Sequence, residues 1–325
     1  MRVRNWLYDR SWLESTEFSL PLIAVGNLSV GGTGKSPMIE YLVRLLQGDH
    51  RLAVLSRGYG RMTKGFILAN GESSADQIGD EPYQFLRKFD TVQIAVDEDR
   101  VRGVSTLLRE SPAPEVILLD DAYQHRRIRA GFYILLTSYG SLYSEDLVLP
   151  AGDLREPRSG ANRADVIVVS KCPLRISERE KKEIRGRLKM GSGQELFFTG
   201  IQYMESATDG RESISLEELT HKEVLLVTGI ADPKPLVEYL ETRKIRFRHL
   251  EFPDHHRLTE KDHERIKSNW EQLEGTDGLV LTTEKDFVRN FEESELPVYY
   301  LPIQTVFLEK EERFIKRIQD YVRRN

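Results

Sequence analysis

The stretch that decides the fold is Gly26-Asn27-Leu28-Ser29-Val30-Gly31-Gly32-Thr33-Gly34-Lys35-Ser36-Pro37. An apolar run, Leu22 to Val25, precedes it. Apolar residues then recur at helical spacing, at Ile39, Leu42, Val43 and Leu46. A glycine-rich segment between a strand and a helix is the context that a phosphate-binding loop requires, because its backbone N–H groups and the helix dipole face the phosphate oxygens. We therefore predict that this segment binds the phosphates of a nucleoside triphosphate.

Individual residues of this loop have distinct expected roles. Lys35 would neutralise the β- and γ-phosphates, and the Ser36 hydroxyl would ligate magnesium. The strict pattern has glycine where this chain has Ser29. One dimer-dependent ATPase type carries a second lysine where this chain has Val30, which argues against that type. The predicted nucleotide contacts are Ser29, Val30, Gly31, Gly32, Thr33, Gly34, Lys35 and Ser36.

The rest of the chain alternates short apolar runs with amphipathic stretches, which indicates an α/β fold. We predict a P-loop NTPase-like core, a mostly parallel sheet with helices on both faces, plus a smaller second α/β lobe. The polar stretch Glu205 to Lys222 is the candidate boundary or exposed connection. We assign residues 1–210 to the core and 211–325 to a C-terminal lobe that closes over the active site. Besides the first run, the predicted strands are Leu52 to Leu55, Val92 to Val96, Val116 to Leu119, Tyr133 to Leu136, Val166 to Val169, Leu196 to Phe198, Val224 to Val227, Leu279 to Leu281 and Val298 to Leu301.

Length and composition exclude several classes of protein. The chain has 325 residues and a net charge of −5. That length can bury the cores of two domains, and that charge argues against a general nucleic-acid binder, which is usually basic. The single cysteine, Cys172, excludes an internal disulfide framework and a cysteine-rich zinc site, and it fits a reducing compartment. We expect a monomer that binds no nucleic acid.

The start of the chain mixes aromatic and basic residues. Trp6 and Trp12 lie among Arg2, Arg4 and Arg10. Two tryptophans in one short stretch can mark contact with a membrane interface, although this stretch by itself favours a helix packed on the core. No apolar run approaches the roughly 18 to 20 residues that span a bilayer.

Two carboxylates, Asp120 and Asp121, end the apolar strand that begins at Val116. In a phosphate-loop enzyme such a strand end holds magnesium directly or through water. Adjacent strand residues point to opposite faces, so the two differ in role, and we assign the metal to Asp120 together with Ser36. Gln124 and His125 follow and can line the same cleft, although His125 can equally be a loop-packing residue.

Two segments can orient and deprotonate an acceptor hydroxyl. Gly79-Asp80-Glu81-Pro82 opens a predicted helix, and its carboxylates can lie near phosphate or metal, unless Asp80 is only an N-cap. The segment Phe252 to His256 carries two histidines, and a neutral histidine can accept a proton near pH 7 or tune a carboxylate that does. Of the two we choose His255, the first histidine after Asp254.

Three arginines, Arg57, Arg100 and Arg155, lie close to strand ends. Arginine binds phosphate through a planar fork and stabilises charge in phosphoryl transfer. Each can therefore contact an anionic acceptor or the transition state, or can form an ordinary surface salt bridge. We group Arg57 with Gln124 and His125 as candidate substrate-binding residues.

Seven blocks of this sequence resemble the tetraacyldisaccharide 4'-kinase family, in the family's order and over nearly the whole chain. They are the glycine-rich segment quoted above, Leu55-Ser56-Arg57-Gly58-Tyr59-Gly60, Gly79-Asp80-Glu81-Pro82, Asp120-Asp121-Ala122-Tyr123-Gln124-His125, Pro150-Ala151-Gly152-Asp153-Leu154-Arg155-Glu156-Pro157, Asp254-His255-His256 and Thr282-Thr283-Glu284-Lys285-Asp286.

The resemblance implies a kinase of lipid A biosynthesis that uses ATP and Mg²⁺. The implied acceptor is the 4'-hydroxyl of a tetraacylated disaccharide 1-phosphate, the product is lipid IVA, and two α/β/α lobes hold the active site between them. The implied location is the cytoplasmic face of a Gram-negative inner membrane, with peripheral association. In the family, the aspartate matching Asp80 and the histidine matching His255 form a catalytic dyad. Further implied active-site residues are Arg100, Arg155, Asp120 and Asp121.

Two departures from the family pattern are visible. Family members usually open with a longer apolar helix that docks on the membrane, where this chain has Arg4 to Asp9. The family often has glycine after the paired aspartates, where this chain has Ala122. A left-handed conformation there would cost alanine more than glycine.

Two other functions also fit the loop. A soluble small-molecule kinase or ligase would apply the same chemistry to a water-soluble acceptor. A guanine-nucleotide switch or metallochaperone would normally carry an Asn-Lys-x-Asp type motif, and the nearest counterparts here, residues 170–173 and 283–286, do not match it.

Overall fold

The computed structural model describes residues 1–273, 277–292 and 294–324, apart from the side chain of Arg2. The chain divides into two compact units, Met1–Gln202 with Gln304–Asn325, and Tyr203–Ile303. Both units are α/β, as the sequence predicts. The described strands are β1 (Leu22–Asn27), β2 (Leu52–Ser56), β3 (Ile67–Leu68), β4 (Gln93–Val96), β5 (Val116–Asp120), β6 (Phe132–Ser138), β7 (Val166–Ser170), β8 (Glu195–Tyr203), β9 (Ser206–Thr208), β10 (Ser213–Ser215), β11 (Val224–Thr228), β12 (Phe247–Glu251), β13 (Leu279–Thr283), β14 (Val298–Leu301) and β15 (Ile303–Phe307).

Helices connect most of these strands. The described α-helices are α1 (Arg2–Asp9), α2 (Lys35–Leu46), α3 (Ala75–Ile78), α4 (Asp80–Lys88), α5 (Arg100–Leu107), α6 (Glu178–Leu188), α7 (Leu216–Leu219), α8 (Lys234–Thr242), α9 (Glu260–Glu271), α10 (Glu284–Asn290) and α11 (Glu311–Arg324). A 3₁₀ helix spans Arg158–Arg163. Within the described ranges, no helix is long and apolar enough to cross a membrane.

The first unit is built on a sheet with the strand order β15-β8-β7-β6-β1-β5-β2-β4-β3. Its central strand, β1, pairs in parallel with both β5 and β6. Alternate residues of β1 point to opposite faces. Ile23 therefore joins a core with Leu42 of α2, and Ala24 joins a separate core with Val104 of α5. Helices thus cover both faces, and the predicted mostly parallel sheet is confirmed.

The second unit has a smaller sheet, ordered β10-β9-β14-β13-β11-β12. Strands β12, β11, β13 and β14 run in parallel, and the hairpin of β9 and β10 is antiparallel. This hairpin and α7 occupy the stretch 205–222, so it is folded rather than an exposed connection. Its few apolar residues are well placed, because Ala207, Leu216 and Leu219 are buried in the core of this unit.

The observed division also differs from the predicted boundary at 210/211, because the chain returns to the first unit after Ile303. Helix α11 buries Phe314, Ile318 and Val322, spaced four residues apart, in the core beneath β1. The Tyr321 hydroxyl donates to the carbonyl oxygen of Leu22 at 3.1 Å and accepts from its N–H at 3.0 Å. These contacts make residues 304–325 an integral part of the first unit.

Candidate active site

The glycine loop, residues Ser29 to Ser36, lies between β1 and α2. Gly31 and Gly34 have positive φ angles of 95° and 80°, a conformation that a side chain would strain. Helix α2 begins at Lys35, so the last two residues of the loop form the start of the helix. The loop therefore presents its backbone and the first turn of α2 at the carboxyl end of a central strand, which is where such sheets bind ligands.

Segments distant in sequence hold this loop in place. The N–H of Val30 donates to the carbonyl oxygen of Asp153 at 2.7 Å, and the N–H of Arg155 donates to that of Leu28 at 2.7 Å. On another side, the Ser170 hydroxyl at the end of β7 donates to the Thr33 carbonyl oxygen at 2.7 Å. The block at 150–157 thus supports the glycine loop, which its sequence alone did not indicate.

Asp121 is the anionic partner of two cations. The guanidinium of Arg155 donates to both carboxylate oxygens, at 3.0 and 2.8 Å, and the Lys35 ammonium lies 3.8 Å from Oδ1. Arg155 also donates to the side-chain oxygen of Asn27 at the end of β1. Burial alone would raise the pKa of Asp121, but the bonds from Arg155 and the charge of Lys35 outweigh it, so the pKa is lowered. Asp121 is therefore ionised and holds both cations beside the loop.

Asp120 has a different environment, as expected for the neighbouring strand position. It is buried, and its Oδ2 accepts a bond from the Ser56 hydroxyl at 3.0 Å. Its Oδ1 has no hydrogen-bond partner within the described part of the chain. Burial, followed by the charges of Glu81 and Asp121, raises the pKa of Asp120 to about 7. The charge of Lys35 and the bond from Ser56 act in the opposite direction but do not outweigh these effects.

Glu81 is the site residue to which the sequence assigned no individual role. It follows Asp80 in the first turn of α4, and its Oε1 accepts a bond from the Ser36 hydroxyl at 2.9 Å. The contact joins residues 45 positions apart, so only the fold brings them together. The sole sequence signal was that both carboxylates of the segment could lie near phosphate or metal.

The oxygens around Asp120 fit a divalent cation. An orphaned buried carboxylate oxygen, a second carboxylate at Glu81 and the Ser36 hydroxyl are the hard ligands that Mg²⁺ prefers. No three or more His, Cys, Asp or Glu side chains form a metal-binding group in the part of the chain that the structure describes. Mg²⁺ usually relies on one or two carboxylates plus substrate phosphates and water, so this small donor set suits it.

The start of α4 places Asp80. Gly79 has a φ of 92°, and a Cβ atom there would lie 2.9 Å from the Tyr59 carbonyl oxygen. Glycine is therefore required where the chain turns into the helix. Asp80 is the first helical residue and Gly79 is the N-cap, so the interpretation of Asp80 as an N-cap is wrong.

Arg100 and Arg57 occupy contrasting positions. The Arg100 side chain is buried and donates to the carbonyl oxygens of Asp97, at 2.5 Å, and Asp120, at 3.0 Å. It therefore supports the backbone at the end of β5, whereas Arg57 is exposed. Direct contact of either arginine with a transferred phosphoryl group stays a prediction.

Gln124 and His125 lie beside these residues. The Gln124 amide donates to the Asn27 carbonyl oxygen at 2.8 Å and to Glu156 Oε1 at 2.9 Å, so it links β1 to the block at 150–157. Burial, then the charges of Arg100 and Arg57, lower the pKa of His125 to about 4. His125 is thus neutral at physiological pH.

The turn after Asp120 also resolves the question about Ala122. The left-handed residue is Asp121, with a φ of 45°, and Ala122 is not in a positive-φ conformation. The expected cost of alanine there is therefore absent. Aspartate tolerates the left-handed region better than most residues, because its short polar side chain can bond locally.

In the second unit, the two adjacent histidines differ in their surroundings. The His256 ring stacks on Phe252, with centroids 5.3 Å apart, and its Nε2 lies 3.0 Å from an oxygen of Asp262. The side chain of His255 is 60% exposed, against 29% for His256. The structure therefore favours His255 as the histidine available to a ligand. Asp80 and His255 belong to different units, and their pairing stays a prediction.

Taken together, the first unit brings the glycine loop, Ser36, Glu81, Asp120, Asp121 and Arg155 into one site. A parallel sheet with this loop after its central strand defines the chain as an α/β protein of the class that binds nucleoside triphosphates.

The comparisons with known proteins identify the family. The family model for tetraacyldisaccharide-1-P 4'-kinase matches residues 1–323, and the chain belongs to this family. A tetraacyldisaccharide 4'-kinase of Flavobacterium johnsoniae is 50% identical over 99% of this chain and 93% of its own length. A tetraacyldisaccharide 4'-kinase of Bacteroides thetaiotaomicron is 43% identical over 99% of this chain and 90% of its own length. A crystal structure of LpxK from Aquifex aeolicus in complex with ATP is 30% identical, with a TM-score of 0.77 over 99% of this chain and 94% of that one. The predicted fold class and the resemblance are confirmed.

Proposed function

We propose that the chain transfers the γ-phosphate of ATP to the 4'-hydroxyl of a tetraacyldisaccharide 1-phosphate, which gives lipid IVA in lipid A biosynthesis. The convergence of the glycine loop, the paired aspartates and Arg155 in a member of this family carries the proposal. Neither a soluble acceptor nor a guanine-nucleotide switch has comparable support.

The glycine loop would bind the phosphates of ATP. The backbone N–H groups of residues 29–36 would surround the oxygens, and Lys35 would exchange its long contact with Asp121 for a phosphate. Arg155 would keep Asp121 compensated after Lys35 leaves, because it bonds both carboxylate oxygens. The loop thus has a charge arrangement ready for an incoming polyanion.

Mg²⁺ would be held by Ser36 and Asp120, with Glu81 as a further oxygen donor. When bound, it neutralises charge on the β- and γ-phosphate oxygens. The Ser36 hydroxyl donates its hydrogen to Glu81, so its oxygen lone pairs would be available to this ion. The charge of the ion would then offset the burial that raises the pKa of Asp120.

The transfer itself needs an oriented acceptor and a proton acceptor. The acceptor oxygen forms a bond to the γ-phosphorus, the bond from phosphorus to the β-bridging oxygen breaks, and the hydroxyl proton passes to Asp80. We assign His255 as the partner of Asp80, and Arg57, Gln124 and His125 to the acceptor. Arg100 would act by holding the end of β5 at Asp120.

The N-terminal segment would contact the membrane that carries the lipid acceptor. Val3, Trp6 and Trp12 expose 71%, 47% and 72% of their surface, and the two tryptophan rings pack edge to face at 5.5 Å. Exposed tryptophans beside arginines suit the bilayer interface. We propose peripheral association with the cytoplasmic face of the inner membrane, as a monomer.

A radiolabelled transfer assay tests this function. The protein should move phosphate from ATP to a tetraacyldisaccharide 1-phosphate in detergent, and Asp80→Asn should lower kcat by about 10²- to 10⁴-fold with little change in the KM for ATP. Asp90→Asn, an exposed carboxylate just beyond α4, is the matched control. Transfer to soluble sugars but not to the lipid acceptor would disprove the proposal, and full activity of Asp80→Asn would disprove the assigned proton acceptor.

A further inference from the structure

The surroundings of His255 contain a group of residues to which the proposed transfer assigns no role. Arg289, in α10, lies with Nη2 3.2 Å from Nδ1 of His255. Its side chain is almost fully buried, whereas the histidine is mostly exposed. A buried arginine directed at an exposed histidine fixes one edge of the ring and leaves the other edge, Nε2, outward.

The contact has a chemical consequence for the histidine. A guanidinium has only hydrogen-bond donors, so Nδ1 must be the acceptor in this contact. A neutral imidazole that accepts at Nδ1 carries its hydrogen on Nε2. On that side Oδ2 of Asp254 lies 3.9 Å from Nε2. His255 therefore offers a donor, rather than a lone pair, at its exposed edge.

Asp286 anchors both the arginine and the backbone of the histidine. Its Oδ1 lies 3.3 Å from Nη1 of Arg289, and its Oδ2 accepts from the N–H of Gly229 at 2.9 Å and from the Thr283 hydroxyl at 2.7 Å. The carbonyl oxygen of the same Gly229 accepts the N–H of His255 at 3.1 Å. One buried carboxylate thus restrains the ring through the arginine and the main chain through the glycine.

The backbone of His255 makes this restraint necessary. Its φ is 60°, a left-handed conformation that is strained for a non-glycine residue and persists where the surroundings impose it. The bond to Gly229 and the contact with Arg289 supply that restraint from two directions.

We infer that Arg289, anchored by Asp286, is a positioning residue that holds His255 in the Nε2–H tautomer with this nitrogen directed outward. The inference rests on the proposed role of His255 in phosphate transfer. In that role the exposed Nε2–H group is the hydrogen-bond donor available to a carboxylate that orients the acceptor hydroxyl. Without Arg289 the ring would rotate and its tautomers would mix.

Turnover measurements test the positioning role. Arg289→Met should lower kcat roughly 10- to 100-fold, by analogy with the partners that orient metal-bound histidines, with the KM for ATP unchanged. Arg289→Lys should recover part of the loss because an ammonium can still donate to Nδ1. Arg248→Met, at an exposed arginine of β12, is the matched control. In a His255→Ala background, Arg289→Met should cause no further loss of kcat. A loss of kcat there as large as in the unmodified protein would overturn the inference.

Nitrogen NMR of histidine-labelled protein tests the tautomer independently of activity. The His255 signals are assigned by comparison with His255→Gln, and they should show the proton on Nε2 in the unmodified protein and a mixture in Arg289→Met. A proton on Nδ1 in the unmodified protein would overturn the inference even if both variants lose activity. Full activity of His255→Ala would instead refute the proposed role of the histidine, while the NMR result still decides the tautomer.

Discussion

The buried carboxyl group of Asp120 should lower the stability of the protein in the absence of a cation. Burial and the charges of Glu81 and Asp121 raise its pKa from 3.8 to about 7. One pKa unit corresponds to about 1.4 kcal/mol, so a shift of roughly three units makes ionised Asp120 cost on the order of 4 kcal/mol of unfolding free energy. The folded state holds this proton more tightly than the unfolded state. Stability from this group is therefore complete below about pH 4, declines as the pH rises, and is lost above about pH 7.

The substitution Asp120→Asn removes this charge with little change in volume. We expect the variant to have a higher free energy of unfolding than the unmodified protein at pH 8, with a smaller gain at pH 5, and to lose turnover because a metal-ligand oxygen is gone. Urea unfolding in EDTA, followed by tryptophan fluorescence, measures the gain. Asp49→Asn, an exposed aspartate beyond α2, controls for the loss of a negative charge.

Two results would refute this reasoning. If Asp120→Asn unfolds at lower urea than the unmodified protein at pH 8, the carboxylate contributes more through its bond with Ser56 and the charge of Lys35 than it costs through burial. If the gain is equal at pH 5 and pH 8, it does not come from ionisation. Addition of Mg²⁺ and ATP should stabilise the unmodified protein and reduce the advantage of the variant.

Three further predictions concern the surroundings of the site. Gly79→Ala should destabilise the protein by about 1 to 3 kcal/mol in urea unfolding, because it forces a side chain into a left-handed position against a carbonyl oxygen; an unchanged midpoint would contradict this. The double substitution Trp6→Ser and Trp12→Ser should abolish sedimentation with anionic vesicles while kcat on detergent-dispersed acceptor stays within about twofold, and retained sedimentation would exclude these rings as the membrane contact. Glu156→Gln should raise protease cleavage near Asn5, because the buried carboxylate accepts a bond from that side chain at 2.7 Å and a charge-assisted bond is worth about 1.5 to 3 kcal/mol; cleavage at the original rate would show that the bond does not hold α1.

The sequence predicts the central strands of both sheets, because they are buried and read as continuous apolar runs. The predicted set omits β3, β9, β10, β12 and β15, which are short or partly exposed. Leu22 to Val25 and Val116 to Leu119 fall within β1 and β5. The stretch 205–222 was misjudged because a short hairpin needs only a few buried residues, such as Ala207, to join a core. The average apolar content of an 18-residue stretch does not reveal so few buried residues.

Site residues that directly follow a strand could be predicted from the sequence. Contacts that depend on how helices pack could not. The glycine loop, Asp120 and Asp121 each stand directly after an apolar run, so their position at one edge follows from parallel pairing. The contact between Ser36 and Glu81 depends instead on how α4 packs beside α2. The burial of Arg100 was likewise invisible, because an arginine in an acidic segment normally reads as solvent-exposed.

The path of the chain through the two units has a consequence for synthesis. Residues 304–325 are translated after the whole of the unit Tyr203–Ile303, yet they supply Phe314 and Ile318 to the core under β1. The ribosome therefore completes the unit Tyr203–Ile303 before the first unit has received all of its core residues. During that interval the apolar face of β1 lacks its last cover, which makes the nascent nucleotide-binding unit a natural client for a chaperone.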